Sequence, residues 1–183
     1  METLKWYRSY PAPEEIAEKK LETVPHIVDN LPRLLMTQYN MQRVEWPQDE
    51  IGFCMLEWDI ALDPIERRQF AAEALIEPRE ILVAPYRFHN TWVTWHGNDG
   101  GGPTFESRPT PSGCEHCGMD RTDSFGLGCI YFPQDVLQEF LKQMDGFGFT
   151  DYTFGKWYRE KYGQARVTWR VHPQHLHEYA ELQ

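Results

Sequence analysis

Three things are scarce in this chain: basic residues, cysteine and long apolar runs. Lys and Arg number 18 against 28 Asp and Glu, a formal net charge of −10. That balance excludes binding to nucleic acid by general phosphate attraction, which needs a basic surface, although it leaves room for a local basic groove. An acidic surface favours solubility and gathers divalent cations. No apolar stretch approaches the roughly 18 residues a membrane span requires, and Met1-Glu2-Thr3-Leu4-Lys5 lacks the apolar core of a secretory signal. The expectation is a soluble protein with no membrane partner, located in the cytoplasm, or in the host cytoplasm if it is viral. The chain also lacks internal repeats and low-complexity tracts.

Cysteine occurs four times, at positions 54, 114, 117 and 129. Cys54 and Cys129 lie inside apolar runs and read as small buried hydrophobes. Cys114 and Cys117 form a single CxxC pair around His116, which is half of a structural zinc site. The other half would come from His89, His96 or the C-terminal histidines; two reduced loop thiols are the alternative.

What is plentiful is aromatic surface, 14% of the residues with seven Trp and nine Tyr. At 183 residues the chain has the size of one domain. A chain this long buries about 70% of the surface its unfolded form exposes, so it folds without staples.

Local patterns give the elements. KWYRSY (5–10) has strand composition and ends at Pro11. A helix is expected over roughly Glu14 to Thr23, with acids in its first turn. Leu31, Leu34 and Leu35 read as a short helix, and Met36 to Tyr39 equally as strand. IGFCMLEWDI (51–60) is a buried central strand whose polar residues emerge at its C-terminal edge. Asp63-Pro64 opens a helix through IERRQFAAEALI. ILVAPY (81–86) and Thr91 to Trp95 read as further strands.

Gly97 to Asp123, with six glycines and three prolines, reads as a long functional loop. LGCIYF (127–132) is a strand, Pro133 starts the next helix, and Gly146 to Gly148 end it. Thr150-Asp151 starts another helix with Phe154, Trp157 and Tyr158 as its apolar face, and Ala165 to Val171 form the last strand. Strands alternating with helices imply an α/β fold, a layered sheet of mixed strand direction.

Four constellations are able to carry chemistry. Glu57 and Asp59, leaving a buried strand together, share a face if the strand stays extended, and so address one object such as a divalent ion; the plainer reading is a strand end meeting solvent. His172, His175 and His177 follow the last strand, and imidazole suits borderline metals; the plainer reading is a solvated tail. The CxxC pair is the third. Asp151 is the fourth, either a helix cap or a general base at a cleft edge.

In order, these pieces resemble the GT-A type of nucleotide-sugar glycosyltransferase, over about residues 50–178. LEWDI (56–60) is similar to that family's acidic D-x-D motif, with Glu57 in place of the first Asp. FGLGCIYFPQDVLQEF (125–140) resembles its acceptor segment, GFTDYTFGKWYREKYG (148–163) its base-bearing helix, and VHPQHLH (171–177) its histidine end. Only about 50 residues precede the acidic motif, far fewer than the family spends on its nucleotide.

The resemblance implies a minimal, phage-like version of the fold: a three-layer sandwich around a central, mixed, mostly parallel sheet. It implies one domain, with a shortened nucleotide-binding part over about 1–50 and a metal and acceptor part over about 50–178. Arg8, Ser9, Tyr10 and Pro11 would lie beneath the base. Asp59 with His175 or His177 would hold Mn or Mg, and Glu57 would orient the donor's ribose or a metal-bound water. Asp151 would take the proton from the acceptor hydroxyl. Trp58, Trp95 and Trp157 offer flat faces for stacking. The partner would be a nucleoside diphosphate sugar, and the acceptor a sugar, a protein side chain or a hydroxylated DNA base. The competing readings are a zinc-stabilised binding or assembly protein using Cys114 and Cys117, and a metal-dependent phosphodiester hydrolase using the same acids and histidines.

Overall fold

The fold is that of a computed structural model, which describes residues 4–11, 30–36, 46–88, 91–92, 94–95, 119–144 and 149–176. The helix expected near 14–23, the CxxC pair at Cys114 and Cys117, and His177 lie outside the described residues.

The elements in chain order are β1 (Lys5–Pro11), β2 (Arg33–Met36), β3 (Gly52–Glu57), β4 (Ile60–Ala61), α1 (Pro64–Ala74), β5 (Leu82–Val83), β6 (Arg87–Phe88), β7 (Thr91–Trp92) and β8 (Thr94–Trp95). They continue as β9 (Met119–Thr122), β10 (Ser124–Phe125), β11 (Cys129–Pro133), α2 (Gln134–Gln143), α3 (Asp151–Tyr162), β12 (Ala165–Thr168) and β13 (Gln174–His175). Seven strands form the main sheet in the order β2-β1-β3-β11-β5-β12-β9. β2, β1, β3, β5 and β12 share one direction, while β11 and β9 run against it.

Alternation along the strands explains why helices cover both faces. Phe53, Met55, Ile130, Phe132, Val83, Ala165 and Val167 point to one face and pack with Val136, Leu137 and Phe140 of α2 and Phe154 and Tyr158 of α3. Cys54, Leu56, Leu82, Cys129 and Tyr131 point to the other and pack with Phe70 and Ala74 of α1. Each large side chain so buried contributes about 1.5–3 kcal/mol. The result is an α/β fold with a mixed sheet between helical layers. No helix among the described residues is long and apolar enough to cross a membrane.

The helix starts follow local chemistry. The Asp63 side chain accepts from Ile65 N, and Pro64 takes the first helical position, where no amide is missed. At α3 the cap is Thr150, whose hydroxyl accepts from Thr153 N at 3.1 Å while Thr153 Oγ1 accepts from Thr150 N at 2.9 Å. Asp151, expected as a possible cap, is the first residue inside the helix.

Several expectations need correction. Leu34 and Leu35 are strand, paired with Ser9 and Tyr10 across a parallel ladder rather than wound in a helix. The glycine-rich stretch does not run loose to Asp123, because Met119–Thr122 forms the edge strand β9 against β12. The last strand of the main sheet stops at Thr168, and the supposed tail returns as β13 to pair with β4.

Candidate active site

β3, β5 and β12 point the same way, so their C-terminal ends meet at one edge of the sheet, the edge where open α/β sheets bind ligands. Beyond β3 the chain does not stay extended. Trp58 and Asp59 form a tight turn that leads straight into β4. Glu57 and Asp59 are therefore not two positions of one straight strand, as the sequence pattern led us to expect; they are brought together by a turn.

Arg8 holds that turn. It is 1% exposed, and its Nη1 donates to Glu57 O and to Ile60 O, each at 2.8 Å. A buried guanidinium survives only with such partners. Arg8 was expected near a nucleotide; the structure spends at least part of its donor set on the backbone either side of the acidic turn. Ser9 beside it is buried, and Tyr10 and Pro11 finish β1.

The second half of the site arrives from the far end of the chain. In the β13–β4 ladder His175 lies opposite Ile60, and Leu176 N donates to Asp59 O at 2.8 Å. This backbone pairing delivers the imidazole: His175 Nε2 lies 3.1 Å from Asp59 Oδ2, with both side chains largely buried. His172 goes elsewhere, its Nδ1 lying 3.1 Å from Glu66 Oε1 on α1.

Two further residues close the cluster. Tyr86, just beyond β5, stacks on His175 with ring centroids 5.9 Å apart and planes 5° apart. Asp151, at the start of α3, is exposed, accepts from Tyr152 N at 2.7 Å and is close enough to Glu57 for their charges to interact. The helix N-terminus favours that carboxylate.

The electrostatics follow from crowding acids in a half-enclosed place. Burial, then the Asp59 and Asp151 charges, push the Glu57 carboxyl up to about 8, against a hydrogen bond from Tyr86 that lowers it. Surrounding protein also raises Asp151, opposed by the Tyr152 N–H. The Tyr86 phenol is driven well up, by burial first and then by the same three carboxylates.

A bound divalent cation would relieve this crowding. Among the described residues no group of three His, Cys, Asp or Glu side chains forms a ready-made cage. Asp59 and His175 supply two adjacent ligands, an oxygen and a nitrogen. Those are atom types that ligate a divalent ion such as Mn, and two of them leave most of its coordination sphere to other groups.

Of the residues expected to matter, Glu57, Asp59, His175 and Asp151 are brought to one edge. His177, Cys114 and Cys117 lie outside the described residues. Trp58 is half-buried in the turn. Trp157 instead packs on Phe140 at 5.0 Å and donates to Gln143 Oε1 at 3.0 Å, away from the cluster. Tyr86 was not anticipated; its only sequence mark is its place at the end of an apolar run.

Neither a family model nor a curated protein matches the chain. Among solved structures it is similar to the crystal structure of A197 from STIV, at 9% identity over 92% of this chain and 83% of that one, with a TM-score of 0.46.

Proposed function

We propose that the protein is a metal-dependent glycosyltransferase, moving a sugar from a nucleoside diphosphate sugar to a hydroxyl acceptor. The observation that carries this reading is the 3.1 Å approach of His175 Nε2 to Asp59 Oδ2 at the carboxyl edge of the parallel strands, with Glu57 and Asp151 beside it.

In this reading Asp59 with His175 or His177 would hold Mn or Mg. When bound, that ion supplies Lewis-acid neutralisation of charge on the departing diphosphate. Glu57 orients the donor's ribose. Asp151 takes the acceptor hydroxyl's proton; burial raises its pKa, which makes it a better base than an ordinary aspartate. Arg8 serves the site from beneath, by fixing the turn that carries Asp59. The acceptor classes that fit are a sugar, a protein side chain and a hydroxylated DNA base, the last disfavoured by the net charge of −10.

The test is a thermal-shift panel of uridine, guanosine and cytidine diphosphates and their sugars, with and without Mn, followed by mass spectrometry for sugar transfer or release. A ligand at about 100 times its dissociation constant adds about 2.7 kcal/mol. One nucleotide should stand out, and only with Mn. A flat panel overturns the proposal. Phosphodiester cleavage with no sugar donor would indicate the hydrolase instead, and tightly held zinc lost in Cys114→Ser the binding protein.

A further inference from the structure

The cluster contains one aromatic contact that its chemistry does not require. β13 is two residues long and follows Pro173, so its ladder with β4 fixes the His175 backbone and little else. The last torsion of a histidine is intrinsically broad, and a backbone pair does not set the ring plane. The ring plane is set by side chains: by Asp59 Oδ2, 3.1 Å from Nε2, and by what packs on the face of the ring.

The Tyr86 ring lies nearly parallel to the imidazole, with 5° between the ring planes and 5.9 Å between centroids, and both residues are 7% exposed. Tyr86 is itself confined. A Cβ on Gly128 would stand 2.3 Å from its Cε1 and 2.6 Å from its Cζ, so the phenol ring occupies the space a side chain at 128 would take. Gly128 cannot easily retreat, because its carbonyl accepts from Glu57 N at 2.9 Å.

We infer that Tyr86 is a positioning residue, setting the plane of His175 so that Nε2 faces Asp59, and that glycine at 128 is required to admit the Tyr86 ring. The inference deepens the proposed function, since the imidazole it orients is the one assigned to the cation. Outer partners that orient a ligating histidine typically change metal affinity by about 10–100-fold when removed. Stacking needs the ring and not the hydroxyl. Tyr86→Phe removes the hydroxyl's hydrogen bond to Glu57 but keeps the stacked ring, and so keeps the orienting effect on His175; Tyr86→Leu loses both. Gly128→Ala loses the orienting effect too, with Tyr86 chemically intact, by displacing the ring.

Two measurements on the full chain separate this inference from the reading it rests on. The first is NMR of the His175 imidazole, assigned with His175→Gln. In the wild type, contacts between the imidazole and Tyr86 ring protons are expected; their absence overturns the inference whether or not any variant folds. Tyr86→Phe should preserve the His175 signals, while Tyr86→Leu and Gly128→Ala should move them. Unmoved signals in folded Tyr86→Leu also overturn it.

The second is Mn2+ affinity, read by electron paramagnetic resonance of the free ion. Tyr86→Phe, which loses only the hydroxyl's bond to Glu57, should weaken binding clearly less than Tyr86→Leu, and Tyr86→Leu and Gly128→Ala should weaken it by about tenfold or more. Equal loss in Tyr86→Phe and Tyr86→Leu contradicts a role for the stack. A wild type that binds no Mn2+ sinks the cation assignment instead, leaving the imidazole signals to judge Tyr86.

Discussion

Arg8→Met tests the device that shapes the site. Methionine keeps the length and much of the volume of the buried stem, so the change removes the guanidinium without opening a large cavity. The two carbonyls bonded at 2.8 Å, Glu57 O and Ile60 O, then lose a partner in the interior. Each orphaned buried acceptor costs about 1–3 kcal/mol. Sparing the cation its own desolvation returns part of that. The net loss should be about 2–4 kcal/mol, or roughly 5–15 °C in melting temperature for a domain of this size.

The assay is urea unfolding followed by tryptophan fluorescence, with the m-value checked for constancy. The control is Arg121→Met. Arg121 pairs with Glu80 at 2.5 Å on an exposed surface, where such pairs are worth about 0–1 kcal/mol. If Arg8→Met unfolds within about 0.5 kcal/mol of the Arg121 control, the clamp does not hold the turn.

Other perturbations follow from single observations. Glu57 binds its proton more tightly folded than unfolded, so the folded state holds the extra proton between about 4.5 and about 8, and stability contributed by Glu57 falls as pH rises through that window. Urea unfolding from pH 5 to 9 should show the wild type losing ground to Glu57→Gln as pH rises; parallel profiles would refute the crowding. Gly52→Ala should cost about 1–3 kcal/mol, because Gly52 has φ +154° and a Cβ there would stand 2.3 Å from Phe132 O; a differential scanning calorimetry trace equal to the wild type would contradict this. Thr150→Ala removes the α3 cap and should cost about 1 kcal/mol in urea, with Thr150→Ser recovering most of it.

The fold was legible where burial is continuous or caps are explicit. The run ending in Glu57 and Asp63-Pro64 before α1 state their roles locally, whereas at α3 the start was legible but the cap is Thr150 and not the expected Asp151. Strands that exist through pairing were not legible. Leu34 and Leu35 have no β-branched neighbours and become strand only beside β1. Met119–Thr122 carries no apolar alternation because it is an edge. Gln174 and His175 are a ladder of two residues whose partner lies more than a hundred positions earlier. At the site, Glu57, Asp59, Asp151 and His175 were visible as residue types at the ends of elements. The turn that joins the acids was not, because it depends on a guanidinium from β1. Nor was Tyr86, whose importance is a contact with a ring 89 positions away, from 86 to 175.

The central claim is that Asp59 and His175 serve one cation, and a double-mutant cycle on Mn2+ affinity addresses it most directly. Titrations of the wild type, Asp59→Asn, His175→Gln and the double variant, in saturating nucleoside diphosphate, give the coupling between the two side chains. Ligands to a shared ion should each weaken binding strongly, with the double variant little worse than either single one, a coupling of at least about 1 kcal/mol. Affinities unchanged in the single variants, or losses that simply add, would contradict a common ion.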